Sequence, residues 1–406
     1  MSDIRPILLC ISPFVPYDGI PHAGGQYLYS HLEELAHRFR VRLVAPGTSD
    51  NRKALARLPG SIDSLILLPS MDGNGWLRGI QVIDRAIHGV GMDPVFRACF
   101  RRSNVVSEWI LQAKFIDFEW AQTATLSRYV RVLNPSAVQM LVVHDVLSHR
   151  WLREFDRTKG AFRRFYLWLR YVLVRRAEVV LFGLVDRVLV FSESERLQAK
   201  SVLETASVGY IPPPLSDDLM PSTVDDFRRL YDRRMRGTLL FVGAMGRQEN
   251  DEGAYWFLSE VFPMVLRRIP DAKVFIVGGS PSARLKSFAS ENVVITGYVD
   301  DISHYYRRCG VFVGSVFRGG GVKFKTVSAL LWGIPVVAST VGSEGIGRRS
   351  NYLCVSDDPS EFADAVVQGL SDYRFSMAIA ECAFEWAHSE FGGTRFRDVL
   401  EEEYPN

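Results

Sequence analysis

Residues 311–340 read VFVGSVFRGGGVKFKTVSALLWGIPVVAST. An apolar run ends at Phe317, three glycines follow Arg318, a stretch with helical apolar spacing reaches Gly333, and a second apolar run begins at Ile334. Strand, glycine turn, helix, strand is the repeating unit of a parallel sheet, because parallel neighbours need a long crossover between them. Gly333 fits as the helix C-cap ahead of a proline-containing strand. Gly319, Gly320, Gly321 and the adjoining Val322 then sit at a strand end on a helix N-terminus, where bare backbone amides cradle phosphate oxygens. Lys323 and Lys325 add positive charge, although positions two apart on a helix do not face one ligand. The spacing is not that of a Walker loop, GxxxxGK[ST].

The same alternation extends in both directions. Upstream and downstream lie TLLFVGAM (238–245), KVFIVGG (273–279), VVITGYV (293–299) and YLCVS (352–356). The N-terminal half has its own series: PILLCIS (6–12), RVRLVAP (40–46), SLILLPS (64–70), MLVVHD (140–145) and RVLVFSES (187–194). Helical stretches such as QYLYSHLEELAHRF separate most of them, so each half predicts an α/β doubly wound parallel sheet covered on both faces. Between the halves, VGYIPPPLSDDLMPS (208–222) has three prolines in a row and an acidic run, a poor helix or strand and a good linker. The predicted organisation is an N-terminal domain over 1–212, a linker over 213–222, a C-terminal domain over 223–380, and a helical segment over 381–406 that packs back on the N-terminal domain. Ligands of open α/β sheets bind outside the carboxyl ends of the strands. The search for a site therefore narrows to those ends, around a central cleft between two facing sheets.

Bulk properties agree with this class. A chain of 406 residues exceeds one ordinary core, and 47% hydrophobic with 23% charged residues is the balance of a globular protein. A net charge of +2 gives no reason to expect nucleic acid as a partner. The five cysteines are scattered without a CxxC pair, which fits a reducing cytoplasm and suggests neither zinc nor disulfides. The opening MSDIRPILLCIS lacks the features of a leader peptide and reads as a first strand.

Four further strand ends carry chemistry. After the first strand, HAGGQYLYSHL places Gly24 and Gly25 at a helix N-terminus, either a ligand approach or a tight turn. After MLVV comes His144, able to bond a substrate hydroxyl or act as acid or base, or simply to satisfy a carbonyl. In the second half, FVGAMGRQENDEGAYWF sets Gly243 and Arg247 after a strand, the arginine suited to clamping a pyrophosphate, with Asn250 or Asp251 as a helix cap. Glu344 in TVGSEGIG offers a carboxylate for hydroxyls, or is an ordinary loop acid.

Taken in order, HAGGQYLYSHLEELAHRFRVRLVAP, LVVHDV, DRVLVFSESE, FVGAMGRQENDEGAYWFLSEVFP, VVITGYVDDISHYYRRCGVFVGSV and GGGVKFKTVSALLWGIPVVASTVGSEGI resemble the retaining glycosyltransferases of family four, also called group 1, over nearly the whole chain. That resemblance implies the GT-B fold of two Rossmann-like domains. It also implies transfer of a sugar from a nucleotide diphosphate sugar to an acceptor hydroxyl with retention of configuration, in polysaccharide or glycoconjugate assembly. The acceptor, a sugar or lipid-linked glycan, would meet the first domain and the donor the second, without cofactor or metal. His144 then approaches the donor sugar, the 24–25 turn closes near the diphosphate, and Arg247 stabilises the leaving group. The family's glutamate, seven residues, glutamate pattern falls here on Gly320 and Ser328, and no lysine follows Arg247. Those departures keep in view a sugar-nucleotide-binding scaffold of weak or no activity; a sugar-nucleotide epimerase, a chemistry that also occurs on the two-domain fold, is the third class, against which stands the lack of an evident acid and base pair. Finally, FRRFYLWLRYVLVRRAEVVLFG (162–183) mixes arginines with aromatic and aliphatic residues. It reads as a core helix with snorkelling arginines, or as an element lying on the inner face of an anionic membrane.

Overall fold

The computed structural model describes residues 4–20, 22–71, 89–215 and 220–405. The chain divides into two compact units, Met1–Pro213 with Phe396–Asn406, and Pro214–Arg395. Residues 216–219 of the expected linker lie outside the described residues.

The first unit holds strands β1 (Ile7–Ile11), β2 (Arg40–Pro46), β3 (Ile62–Leu68), β4 (Ala113–Glu119), β5 (Val138–Val142), β6 (Arg187–Val190) and β7 (Val208–Tyr210), in the order β3-β2-β1-β4-β5-β6-β7. The second holds β8 (Met235–Val242), β9 (Lys273–Val277), β10 (Val293–Gly297), β11 (Cys309–Gly314), β12 (Val336–Ala338) and β13 (Cys354–Val355), in the order β10-β9-β8-β11-β12-β13. Neighbouring strands run parallel in both sheets. The chain therefore builds outward from β1 and then crosses to β4, and does the same from β8 to β11. Each crossing is a switch point, the place where a doubly wound sheet opens a crevice for a ligand.

Burial on both faces explains the apolar runs. Leu8, Leu9, Cys10 and Ile11 in β1 are wholly buried, as are Leu239, Leu240 and Phe241 in β8. β7 lies at the end of the expected N-terminal domain: Val208, Gly209 and Tyr210 continue the sheet beside β6, and the prolines begin only afterwards. β4 was not anticipated, because its sequence AKFIDFE carries two carboxylates in a strand that is buried except at Lys114.

The C-terminal stretch forms the helices Pro359–Ser371, Tyr373–Phe391 and Gly393–Glu403. Tyr404, beyond the last of these, is fully buried in the first unit, where its hydroxyl donates to Oδ2 of Asp117 at 3.0 Å. Arg38 donates to its carbonyl oxygen at 2.7 Å, and Glu403 pairs with Arg187 at 2.5 Å.

Candidate functional site

In the second unit, residues gather at the carboxyl ends of β8 and β11. Gly319 and Gly321 have φ of +100° and +69°, a left-handed backbone that L side chains rarely adopt. Glycine is thus required there by conformation. The Lys323 ammonium donates back to the carbonyl oxygens of Gly320 and Gly321, at 2.9 and 2.5 Å, and braces the turn from below. Helix Phe324–Leu331 follows directly, with Lys323 in the N-cap position and Val322 buried. Its N-terminal turn keeps backbone N–H groups directed out of the helix end.

Lys325 points elsewhere. Its ammonium donates to Oδ1 of Asn250 at 2.6 Å and lies 4.7 Å from the centre of the Phe241 ring. Burial, with Lys323 and then Arg247 adding like charge, pushes its pKa down to about 7. Asn250 does not cap its helix as expected: Gln248–Trp256 begins earlier, with Arg247 in the N-cap position. The Asn250 amide instead donates to the Ala244 carbonyl at 3.0 Å, and Asp251 pairs with Arg284 at 2.5 Å. Gly243 closes β8 against Asn250, where a Cβ would lie 2.7 Å from Cγ. Arg247 is exposed and pairs with Glu249 at 2.7 Å. Ser328 is half-buried and hydrogen-bonds the Tyr306 hydroxyl. Glu344 is half-buried in the turn after β12.

The first unit brings the remaining residues together at the ends of β1, β4 and β5. His22 caps helix Ala23–Leu35 by accepting from the Gly25 amide at 2.9 Å. Gly24 faces His144, so that a Cβ there would lie 2.7 Å from Cζ2 of Trp120 and 3.3 Å from Nδ1 of His144. The His144 imidazole stacks flat on Trp120, ring centres 3.8 Å apart and planes 4° from parallel. Its Nε2 lies 3.3 Å from Oε2 of Glu119. Behind them, His31 contacts Oδ2 of Asp117 at 3.2 Å through Nε2, and the Tyr27 hydroxyl at 3.1 Å through Nδ1. Burial, and next Asp117, holds the Glu119 carboxyl well above the usual carboxylate range. Burial, then His31 and His22, pushes His144 down to about 3, so its imidazole is neutral at physiological pH.

Sequence reading missed Asp117, Glu119, Trp120, His31 and Tyr404. Asp117 and Glu119 project to the same side of β4 because side chains alternate along a strand. Two carboxylates at that spacing inside an apolar run were the available signal. Donor atoms of His31, Asp117 and Glu119 lie within 4.8 Å of one another. His31 and Tyr404 bond Oδ2 of Asp117 directly, while Oδ1 of Asp117 and Oε1 of Glu119 are buried without a hydrogen-bond partner. A cavity of about 500 Å³ adjoins this end of the sheet, bounded by Tyr17, His22, Lys53 and Arg57.

Several known proteins resemble this chain. An uncharacterised 44.6 kDa protein of the cps region of Klebsiella pneumoniae is 27% identical over 175 residues, 40% of this chain and 45% of that protein. A GDP-mannose-dependent α-(1-6)-phosphatidylinositol monomannoside mannosyltransferase of Mycobacterium tuberculosis is 26% identical over 208 residues, 46% of this chain and 52% of that protein. The chain thus spans about half the length of the curated relatives it matches. Among solved structures, sucrose-phosphate synthase of Thermosynechococcus elongatus superposes with a TM-score of 0.68 at 15% identity, covering 98% of each chain. WaaG, a glycosyltransferase involved in lipopolysaccharide biosynthesis, gives 0.64 at 14% identity, covering 98% of this chain and 100% of its own. Anabaena HepE, solved with UDP and glucose, gives 0.65 at 13% identity, covering 98% of this chain and 99% of its own. The fold is accordingly GT-B, and within it residues 236–372, the stretch that carries the glycine triplet, match the family Glycosyl transferases group 1.

Proposed function

We propose that this chain is a glycosyltransferase that moves a sugar from a nucleotide diphosphate sugar to an acceptor hydroxyl with retention at the anomeric carbon, in polysaccharide or glycoconjugate assembly. The observation that carries the reading is the turn at Gly319–Gly321, braced by Lys323 and opening a helix at the end of β11, within the stretch that matches the glycosyl transferase family. Helix N-terminal amides and nearby cations favour a diphosphate and the charge that develops on it as it leaves.

In this reading Gly243, Gly319, Gly320, Gly321, Val322 and Lys325 line the diphosphate position, with Arg247 adding an exposed guanidinium. Ser328 and Glu344 take hydroxyls of the donor. Gly24 and Gly25 give the first unit's turn room to approach it, and His144 donates to a sugar oxygen. No carboxylate nucleophile is required where the leaving phosphate itself accepts the acceptor's proton.

The acceptor reading draws on the mannosyltransferase relative, whose acceptor is a phosphatidylinositol mannoside, and on the helix Ala161–Phe182. Among the described residues no helix is long and apolar enough to cross a membrane. Yet Phe162, Phe165, Tyr166, Trp168 and Leu169 are all exposed, with Arg163 exposed among them. Such a surface suits peripheral contact with an anionic leaflet and a lipid-linked acceptor from the cytoplasmic side.

Incubation with a panel of UDP-, GDP- and ADP-sugars tests the assignment. Slow release of free sugar with the anomeric configuration kept is the expected result, accelerated by acceptor. Appearance of a new nucleotide sugar would indicate an epimerase. Tight binding without turnover would indicate a scaffold, the reading that Ser328 in place of a glutamate favours.

A further inference from the structure

The polar cluster beneath His144 ends on an imidazole that faces Gly24. We propose that Glu119 is a positioning residue that acts through His144: its carboxyl group bonds Nε2 and so fixes the tautomer that presents Nδ1–H toward Gly24, while Trp120 fixes the plane of the ring. The inference rests on the reading of His144 as the residue that meets the donor sugar.

Geometry supplies the first support. Glu119 Oε2 stands 3.3 Å from Nε2, whereas Nδ1 looks toward the helix N-terminus at Gly24. Trp120 has φ of +66°, a costly conformation for a bulky residue. Surrounding bonds hold it there. Its amide donates to the Val142 carbonyl at 3.1 Å, and the Thr123 hydroxyl donates to the carbonyls of Glu119 and Trp120, each at 2.9 Å. The outcome of that strain is the parallel stack on His144. Strain kept at a strand end, with a ring placed flat against an imidazole, is where a fold stores positional accuracy.

Protonation supplies the second support. Burial, and next Asp117, raises the Glu119 pKa well above the usual carboxylate range, which favours its protonated form, and burial keeps His144 neutral. Two neutral groups in contact share a single hydrogen. When the carboxyl keeps it on Oε2, Nε2 accepts, and the imidazole carries its own proton on Nδ1. The remaining groups around the pair are Asp117, His31, Tyr27, Tyr404, Cys10 and His22. Burial holds the Cys10 thiol and the Tyr27 and Tyr404 phenols well above their usual ranges, so none of them is an anion that would pull the proton from Glu119. With its proton on Nδ1, the neutral His144 offers a hydrogen-bond donor to a substrate oxygen.

The test uses the full chain with 15N-labelled histidine and two-bond 1H–15N correlation spectra, which identify the protonated ring nitrogen. The His144 signals are assigned by their loss in His144→Gln. At pH 7 the expected pattern is a proton-bearing Nδ1 and a bare Nε2, retained in Glu119→Gln, whose amide also donates, and lost in Glu119→Leu. A wild-type ring carrying its proton on Nε2 would overturn the proposal, as would a Glu119→Leu spectrum identical to wild type. In donor hydrolysis, Glu119→Leu should lower kcat about 10–100-fold, by analogy with the partners that orient metal-bound histidines, with KM little changed and with Glu119→Gln near wild type. Equal loss in both variants would contradict the proposal. The spectra read the tautomer whether or not sugar transfer occurs, so failure of the functional reading and failure of this one are told apart.

Discussion

Lys325 reaches from the helix that follows the glycine triplet to Oδ1 of Asn250, 2.6 Å away, in the helix that follows β8. The contact ties together the two helix N-termini that flank the switch point of the second sheet, between β8 and β11. It also leaves a buried ammonium whose pKa has been pushed down to about 7 by desolvation, Lys323 and Arg247. A dianionic diphosphate placed there would restore the charge.

The first prediction follows from that restoration. Binding of UDP or GDP should draw a proton onto Lys325, so affinity should weaken by roughly tenfold per pH unit from pH 7 to 9, one proton being taken up per ligand. Titration calorimetry on wild type and Lys325→Met checks this: the variant should bind more weakly at pH 7 and show a flatter slope. The same group predicts a stability trend of fixed sign. Its folded pKa lies below the ordinary 10.5, so the cost of burying the charge is full below pH 7 and is relieved as pH rises toward 10.5. Wild type should therefore gain stability relative to Lys325→Met over that window. An identical binding slope in the two proteins would remove Lys325 from the diphosphate position.

The second prediction concerns Gly24. An alanine Cβ would lie 2.7 Å from Trp120 and 3.3 Å from Nδ1 of His144, so the stacked pair must shift. Overpacking of this kind costs about 1–3 kcal/mol. Gly24→Ala should lower donor turnover much more than UDP or GDP affinity, since most of the nucleotide contacts are assigned to the second unit. Unaltered turnover would mean that the turn and His144 do not meet the reacting sugar.

How far the sequence was legible follows from where its signals are local. Strands flanked by glycine turns could be read because each is a short apolar run, and the triplet could be read because its glycines, its helix and its strand are adjacent in the chain. β4 escaped because Asp117 and Glu119 break the apolar pattern while remaining buried through partners elsewhere. His31 lies 86 residues from Asp117 and Tyr404 lies 287 residues from it, and no local pattern announces such pairs. Asn250 was misread for a related reason: its identity suits a cap, but Lys325 and the Ala244 carbonyl claim its side chain.

The third prediction is structural. The sequence placed Gly333 as the C-cap; the cap itself is Trp332, and Gly333 follows it with φ of +66°. An alanine Cβ there would stand 2.3 Å from Cδ2 of Phe227, which is fully buried. Adding the left-handed penalty of about 1–2 kcal/mol to the overpacking cost of about 1–3 kcal/mol gives an expected loss of roughly 2–5 kcal/mol for Gly333→Ala. Urea unfolding measures it. Phe227→Leu should be partly compensating in the double variant, and strict additivity would show that the clash is not what destabilises the single one.

The fourth prediction separates two contributions of Tyr404. Its ring is buried beside Phe115, with centres 5.3 Å apart, and its hydroxyl meets Asp117. Tyr404→Phe keeps the ring and removes one hydrogen bond, and Asp117 retains His31, so a loss of about 1 kcal/mol is expected. Tyr404→Ala removes the ring as well and should cost about 3–5 kcal/mol, the range for truncating a large buried aromatic. The damage should also be confined. Amide hydrogen exchange is expected to lose protection in β1 and β4, which surround Asp117, and to stay unchanged in β8 through β13, because the final residues belong to the first unit. Equal destabilisation by the two substitutions would place the whole effect in the Asp117 bond. Loss of protection spread across both sheets would mean that the two units unfold as one.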